Sequence, residues 1–264
     1  MKREKLPPLI PLLAVEPLGL DLRDTAQWAY KLGYGGLAIG IGHPEINTES
    51  FGHTAQRHLK QILAARGLAL GVLRVGVGKS GAFDSATSQR LLDDALAACD
   101  LAHQFQTPLV SVYIGEAADD AAISGEVEEI FRLLAVRADR TGVVAALSCG
   151  QPQLLLKILR KIGAPSLMAN LDSARIIAAG GSVPAAAEAL AGLTALWICN
   201  DALRTGSAVQ MTPLGAGGAK GAEVAILLKN QDYTGPIVVD VRDLQHPLKA
   251  AEHAREQLQR WIFT

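Results

Sequence analysis

Short apolar runs and longer amphipathic runs alternate along this chain. Eight apolar runs read as strands: PLIPLLAV (8–15), GGLAIGI (35–41), LALGVLRV (68–75), PLVSVYI (108–114), GVVAALS (142–148), SLMANLD (166–172), ALWICN (195–200) and PIVVDV (236–241). Each is rich in aliphatic or β-branched residues and bounded by Gly, Pro, Asn or Asp. Between them, LRDTAQWAYKLG (22–33) sets Leu22, Ala26, Ala29, Tyr30 and Leu32 near one face and stops at Gly33. Residues 88–105 place Leu91, Leu92, Ala95, Leu96, Cys99 and Ala102 at helical spacing, residues 125–142 stop at Gly142, and a last helix covers roughly 247–262. Alternation on this scale predicts a parallel α/β sheet. Eight units favour a closed (β/α)8 barrel over an open doubly wound sheet. No linker or low-complexity segment divides the chain, so residues 1–264 are expected to form one TIM-barrel domain.

Composition agrees with this pattern. The 264 residues match the usual length of one such barrel. They are 49% hydrophobic and 19% charged, as a sheet buried on both faces requires. Aromatics are only 5%, so Leu, Val, Ile and Ala must fill the core. The formal net charge of −1 gives no electrostatic reason to expect nucleic acid or an anionic membrane as partner. Cys99, Cys149 and Cys199 are odd in number and form no CxxC pair, which argues against a disulfide framework and for a reducing, cytoplasmic setting. The opening MKREKLPPLIPLLAVEP is basic and then apolar, like a signal peptide, but Pro7, Pro8 and Pro11 interrupt it and it reads as the lead-in to the first strand. No apolar run approaches the roughly 18 residues of a membrane span.

Two glycine-rich stretches resemble nucleotide motifs and fail on inspection. VGVGKSG (75–81) lacks the first glycine of a phosphate loop, because Leu73 stands there. GAGGAKG (215–221) follows a loop rather than a strand, outside any βαβ unit with a later acidic residue. There is no HExxH, no Cys/His cluster and no GxSxG elbow. Most of the six histidines fall on predicted helices. His43 alone sits at a strand's C-terminal end, where it could touch a ligand.

In a barrel, chemistry gathers at the C-terminal ends of the strands. Here those ends carry Glu16, Gly42 with His43, Arg74, Tyr113 to Glu116, Ser148, Asn170 with Asp172, Asn200 with Asp201, and Asp240 with Arg242. Strand alternation puts 170 with 172, 198 with 200 and 240 with 242 on shared faces. GYGGLAIGI (33–41), NLDSARIIAAGGSV (170–183), WICNDA (197–202) and PLGAGGAKGAEVAILLKNQDYTGPIVVDV (213–241) together resemble the xylose isomerase-like sugar isomerases and epimerases. The resemblance runs over nearly the whole chain and is strongest after residue 165.

That resemblance implies a divalent metal held from strands 5 to 8 by Glu, Asp, His and Glu, with carboxylates moving a proton next to a carbonyl. Position by position, the strand 5 Glu is Ser148, the strand 6 Asp is Asp172, the strand 7 His is Ile198 and the strand 8 Glu is Asp240. A His common three residues after the strand 6 Asp is Arg175, and a second-strand Glu is Ala38. Two oxygen donors survive, Asp172 and Asp240. They are the candidate catalytic residues and the candidate ligands for a weak Mg²⁺ or Mn²⁺. No tight metal site is expected. His43, Ser148, Asn170, Arg175, Asn200, Asp201 and Arg242 are the candidate substrate-binding residues.

The same residues admit other readings. Asp172, Asp240 and Arg242 could form an ion-pair cluster closing the barrel top, and Asp172 could cap the helix that follows it. Three functions compete. The first is a sugar or sugar-phosphate isomerase or epimerase with an altered mechanism. The second is a non-catalytic barrel that binds a carbohydrate or other small polar metabolite, or that partners an active homologue. The third is a DNA-repair endonuclease of the same fold family, which would need a metal cluster and a basic face. Specificity is expected in loops 42–50, 76–84 and 201–219, and barrels of this type often form homo-oligomers.

Overall fold

The computed structural model describes residues 11–46, 51–76, 81–117 and 123–263. Residues 1–10, 47–50, 77–80, 118–122 and 264, and with them the Gly-Lys-Ser of the 75–81 stretch, lie outside the described residues. In chain order the strands are β1 (Pro11–Ala14), β2 (Gly36–Gly40), β3 (Ala69–Gly76), β4 (Leu109–Tyr113), β5 (Val144–Ser148), β6 (Leu167–Asp172), β7 (Thr194–Cys199), β8 (Asp201–Thr205), β9 (Ala208–Thr212) and β10 (Ile237–Val239). The α-helices are α1 (Leu22–Lys31), α2 (His53–Ala64), α3 (Ser85–Phe105), α4 (Gly125–Thr141), α5 (Pro152–Ile162), α6 (Ser173–Ala178), α7 (Val183–Ala189), α8 (Gly221–Asn230) and α9 (Pro247–Phe263).

All eight expected strands pair in parallel into a closed barrel, in the order β1-β10-β7-β6-β5-β4-β3-β2. β8 and β9 stand apart as a two-stranded antiparallel hairpin. This corrects one expectation, because 201–219 reads as a loop from sequence. The hairpin turns at Gly206, which has φ of 62°, and most of its side chains are exposed. It therefore lacks the apolar face that marks a buried strand.

Local chemistry sets the helix ends. Asp21, Asp84, Ser124 and Asp172 each accept a backbone N–H of the first turn of α1, α3, α4 and α6. Gly142 and Gly163 take left-handed conformations (φ 69° and 65°) to end α4 and α5. No helix among the described residues is long and apolar enough to cross a membrane.

The apolar residues separate into two cores. The larger lies between strands and helices and includes Leu13, Leu37, Ile39, Leu73, Val110, Leu147 and Trp197. The smaller fills the barrel interior with Leu12, Ala14, Ala38, Val72, Leu109, Ala146, Leu196, Ile198 and Val238. Inward positions recur every second residue along a strand. Carrying the interior set two residues further gives Arg74 after Val72, Ser111 after Leu109, Ser148 after Ala146 and Asp240 after Val238. The barrel lumen is thus apolar at its base and polar at its mouth. Ala14 and Ala38 are small side chains in the interior beside that mouth.

Candidate functional site at the barrel mouth

A cavity of about 1000 Å³ opens at the C-terminal ends of the strands. Glu16, His43, Arg74, Ser111, Tyr113, Ser148, Asp172, Arg175, Ile198, Asp240 and Arg242 line it.

Asp240 is its most constrained group. Its side chain is fully buried, and Oδ2 accepts from Arg74 Nη2 at 2.7 Å and from Arg242 Nε at 3.0 Å and Nη2. Oδ1 accepts the Arg242 backbone N–H at 3.1 Å. Burial pushes the Asp240 carboxyl up, but the guanidiniums of Arg74 and Arg242 outweigh it and hold the group down at about 2. Burial works against the charge of Arg242, and Asp240 more than restores it. Arg74 also pairs with Glu16, Nη1 to Oε2 at 3.2 Å, and Glu16 accepts the Gly40 N–H. A side chain at Gly40 would meet Glu16 Oε1 at 2.8 Å, so this position suits glycine.

Asp172 ends β6 and begins α6. Oδ1 accepts from Asn200 Nδ2 at 3.1 Å and from the Arg175 N–H at 3.4 Å, and Oδ2 pairs with Arg175 Nε at 3.3 Å. Helix cap and ion pair are therefore both present in one residue. The Arg175 guanidinium lies over the Tyr113 ring, 3.3 Å from its centroid. Tyr113 donates to Glu116 at 3.2 Å, and Glu116 accepts the Gly150 N–H at 2.8 Å. Burial raises the Tyr113 hydroxyl to about 12 against the opposing charge of Arg175. Burial also raises the Glu116 carboxyl, against the Gly150 hydrogen bond.

Of the nine residues expected at the site, His43, Ser148, Asp172, Arg175, Asp240 and Arg242 line the cavity. Three are placed elsewhere. Asn170 is buried below the cavity, where its Nδ2 donates to Ser111 Oγ at 2.9 Å. Asn200 lies behind Asp172, spanning it and the Ala174 N–H at 2.7 Å. Asp201 turns out of the mouth. Its two oxygens accept four backbone N–H groups, from Ala202, Gly215, Gly217 and Ala219, at 2.9–3.0 Å. The GAGGA stretch therefore wraps a carboxylate of its own chain, and a Cβ on Gly217 would collide with Asp201 Oδ1. Glu16, Arg74, Ser111 and Tyr113 join the cavity although they stood outside the expected site. Arg74 had a legible signal, a lone charge at inward parity in an apolar strand run.

The four positions that would hold the family metal converge on this one cavity, but their donors do not fit a tight divalent ion. Ile198 offers no donor and Ser148 a neutral hydroxyl. Asp240 is occupied by two guanidiniums and Asp172 by a third, so an incoming cation would have to displace arginine and then sit among positive charges. Among the described residues, no group of three or more His, Cys, Asp or Glu is placed to hold a metal.

The closed parallel barrel with its polar mouth defines the class as a TIM-barrel protein. The Xylose isomerase-like TIM barrel family model matches residues 26–262, and the chain belongs to that family. No curated protein shows significant sequence similarity to it. Among solved structures, a xylose isomerase domain protein from Planctomyces limnophilus superposes with a TM-score of 0.81 at 18% identity, covering 99% of both chains. A xylose isomerase-like TIM barrel protein from Mycobacterium smegmatis, solved in complex with magnesium, gives 0.78 at 16% identity over 97% of this chain and 96% of that one. The 3-keto-D-glucoside 4-epimerase of E. coli gives 0.73 at 13% identity over 96% and 99%. Identities this low establish a shared fold and nothing more specific.

Proposed function

We propose that this barrel binds a small polar metabolite of the carbohydrate type in its mouth and does so without a tight divalent metal. The observation that carries this reading is Asp240, a carboxylate buried under two guanidiniums and held at about 2. Such a group is a poor general base near neutral pH, because it takes up a proton too weakly. It is also a poor ligand, because its oxygens are already engaged. The open cavity separates this reading from a mouth plugged by ion pairs, and its polar lining suits hydroxyl-rich ligands.

The test is the melting temperature in EDTA and in Mg²⁺, Mn²⁺, Co²⁺ and Zn²⁺, since a ion that binds only the folded state raises stability with occupancy. We expect no saturable shift. A clear rise with one metal, lost in Asp172→Ala, would overturn the metal-free reading and restore a family-type isomerase site.

A second reading, an isomerase or epimerase that moves a proton without a metal, is favoured by one feature. Tyr113 lines the cavity and is hydrogen-bonded to Glu116, a carboxyl pushed up by burial and so better suited to holding a proton. Incubation with ketoses and aldoses in D2O, followed by NMR, discriminates: loss of a carbon-bound proton signal supports this reading, and unchanged spectra with any bound sugar reject it.

A further inference from the structure

The nature of the ligand can be narrowed, an inference that rests on the binding reading above. At the cavity floor the carboxylates lie underneath and the guanidiniums on top. The side chains of Asp240 and Asp172 are 0% and 2% exposed, whereas those of Arg74, Arg175 and Arg242 are 16%, 28% and 31% exposed. A ligand reaching this floor meets N–H donors first, with the acids that hold them recessed behind.

Those donors are not all used. Arg242 spends its backbone N–H, Nε and Nη2 on Asp240, which leaves Nη1. Arg175 is fixed at Nε by Asp172 and at its face by the Tyr113 ring, which leaves Nη1 and Nη2 without a hydrogen bond among the described residues. Both side chains are thus held in place by contacts that do not consume their outer edges. Arginine only donates, so the partner must bring acceptors, and a carboxylate or phosphate accepts two N–H bonds at once. A neutral hydroxyl uses such an edge poorly.

A neighbouring stretch of the mouth is of another kind. Arg175 and Arg242 follow β6 and β10, while Glu16 follows β1, which pairs with β10, and His43 follows β2, which lies across the barrel from β6. Glu16 is 39% exposed and offers acceptor lone pairs to hydroxyl groups. Asp243 and Asp94 also line the cavity, with Asp243 exposed at its rim beside Arg242 and Asp94 paired with Arg90 at 3.8 Å.

We propose that the ligand is a polyhydroxylated small molecule carrying an oxyanion, a carboxylate or a phosphate monoester. The oxyanion lies on the unused N–H groups of Arg175 and Arg242, and its hydroxyls point toward Glu16 and His43. The two sources of the oxyanion share this chemistry and differ in size and charge.

The experiment is titration calorimetry of the full chain with a panel of four- to six-carbon sugar acids, the corresponding sugar phosphates, the matching neutral sugars and inorganic phosphate. We expect at least one acid or phosphate to bind at least tenfold more tightly than its neutral counterpart, with weakening at high salt. Which arm responds names the source. Arg175→Gln should lower that affinity at least tenfold while the protein stays folded at the assay temperature, and Arg175→Lys should recover only part of it, because lysine lacks the fork and the stacking plane. Both arginines partner a buried acid, Asp172 for Arg175 and Asp240 for Arg242, so each variant is first checked for a native fold, and Arg175→Lys keeps a charge beside Asp172. A neutral sugar that binds as tightly as its charged counterpart, or an Arg175→Gln protein with full affinity, would overturn the inference while leaving the metabolite-binding reading in place. Silence across charged and neutral compounds alike would overturn both.

Discussion

Asp201 and Asp240 are buried carboxylates at the ends of neighbouring strands, and the chain neutralises them in opposite ways. Asp201 is surrounded by four backbone N–H groups from its own hairpin and the glycine loop. Asp240 is held mainly by two arginines. Backbone donors cannot turn elsewhere, so the Asp201 nest is a closed structure with nothing left for a ligand. A guanidinium carries more N–H groups than one carboxylate oxygen can take, so the Asp240 cluster keeps donors in reserve. Equal burial thus produces a structural clasp in one place and a binding surface in the other.

The sharpest way to break this comparison is Asp201→Ala. It orphans two buried donors, on Ala202 and Ala219, at about 1–3 kcal/mol each and two part-exposed ones, on Gly215 and Gly217, at less, so we expect a loss of about 4 kcal/mol in urea unfolding. An unchanged midpoint would mean that the nest tolerates an empty centre. Asp240→Asn should cost less, about 3 kcal/mol, because Arg74 keeps Glu16 and both arginines reach solvent.

The Asp240 contribution also has a pH signature. Its folded-state pKa lies below the unfolded value, so the unfolded chain binds more protons between about pH 4 and 2 and stability falls as pH drops through that window. The stabilisation is fully present above about pH 4 and amounts to about 2 kcal/mol. Unfolding free energies of parent and Asp240→Asn measured from pH 5 to pH 2 should converge at the acid end, and parallel curves would assign the acid sensitivity elsewhere. The smallest expected effect belongs to Arg175→Gln. Asp172 is buried and loses its cation, but it keeps the Asn200 and Arg175 backbone donors, so the cost should be about 2 kcal/mol of stability. A larger loss would make Arg175 part of the scaffold and weaken its role as a ligand donor.

The barrel was legible because its strands are short apolar runs closed by Gly, Pro, Asn or Asp, and that pattern follows directly from burial on both faces. The β8–β9 hairpin was not legible, because its exposed strands bury too little to leave a pattern. The mouth divides along the same line. Inside a strand, parity is reliable: Ser148 and Asp172 sit at inward positions of β5 and β6 and line the cavity, and Asp240, one residue past β10, still follows it. Beyond the end of β7 parity fails, because the chain turns at Asn200 and carries Asp201 into the glycine loop. Ligand-facing and ligand-shielding roles also cannot be separated from sequence, since the arginine that covers Asp240 from β3 is 166 residues away.

The chain's three cysteines make it a ready host for site-directed labelling. Cys99, Cys149 and Cys199 are all buried, and burial raises every one of their thiols, the first two to about 12. Alkylation needs an accessible thiolate, so the native protein should stay unlabelled at neutral pH. A single thiol placed at Ser207, exposed in the hairpin turn, would then be the one position that takes a fluorophore, and the barrel would report on its own surroundings without any prior removal of native cysteines.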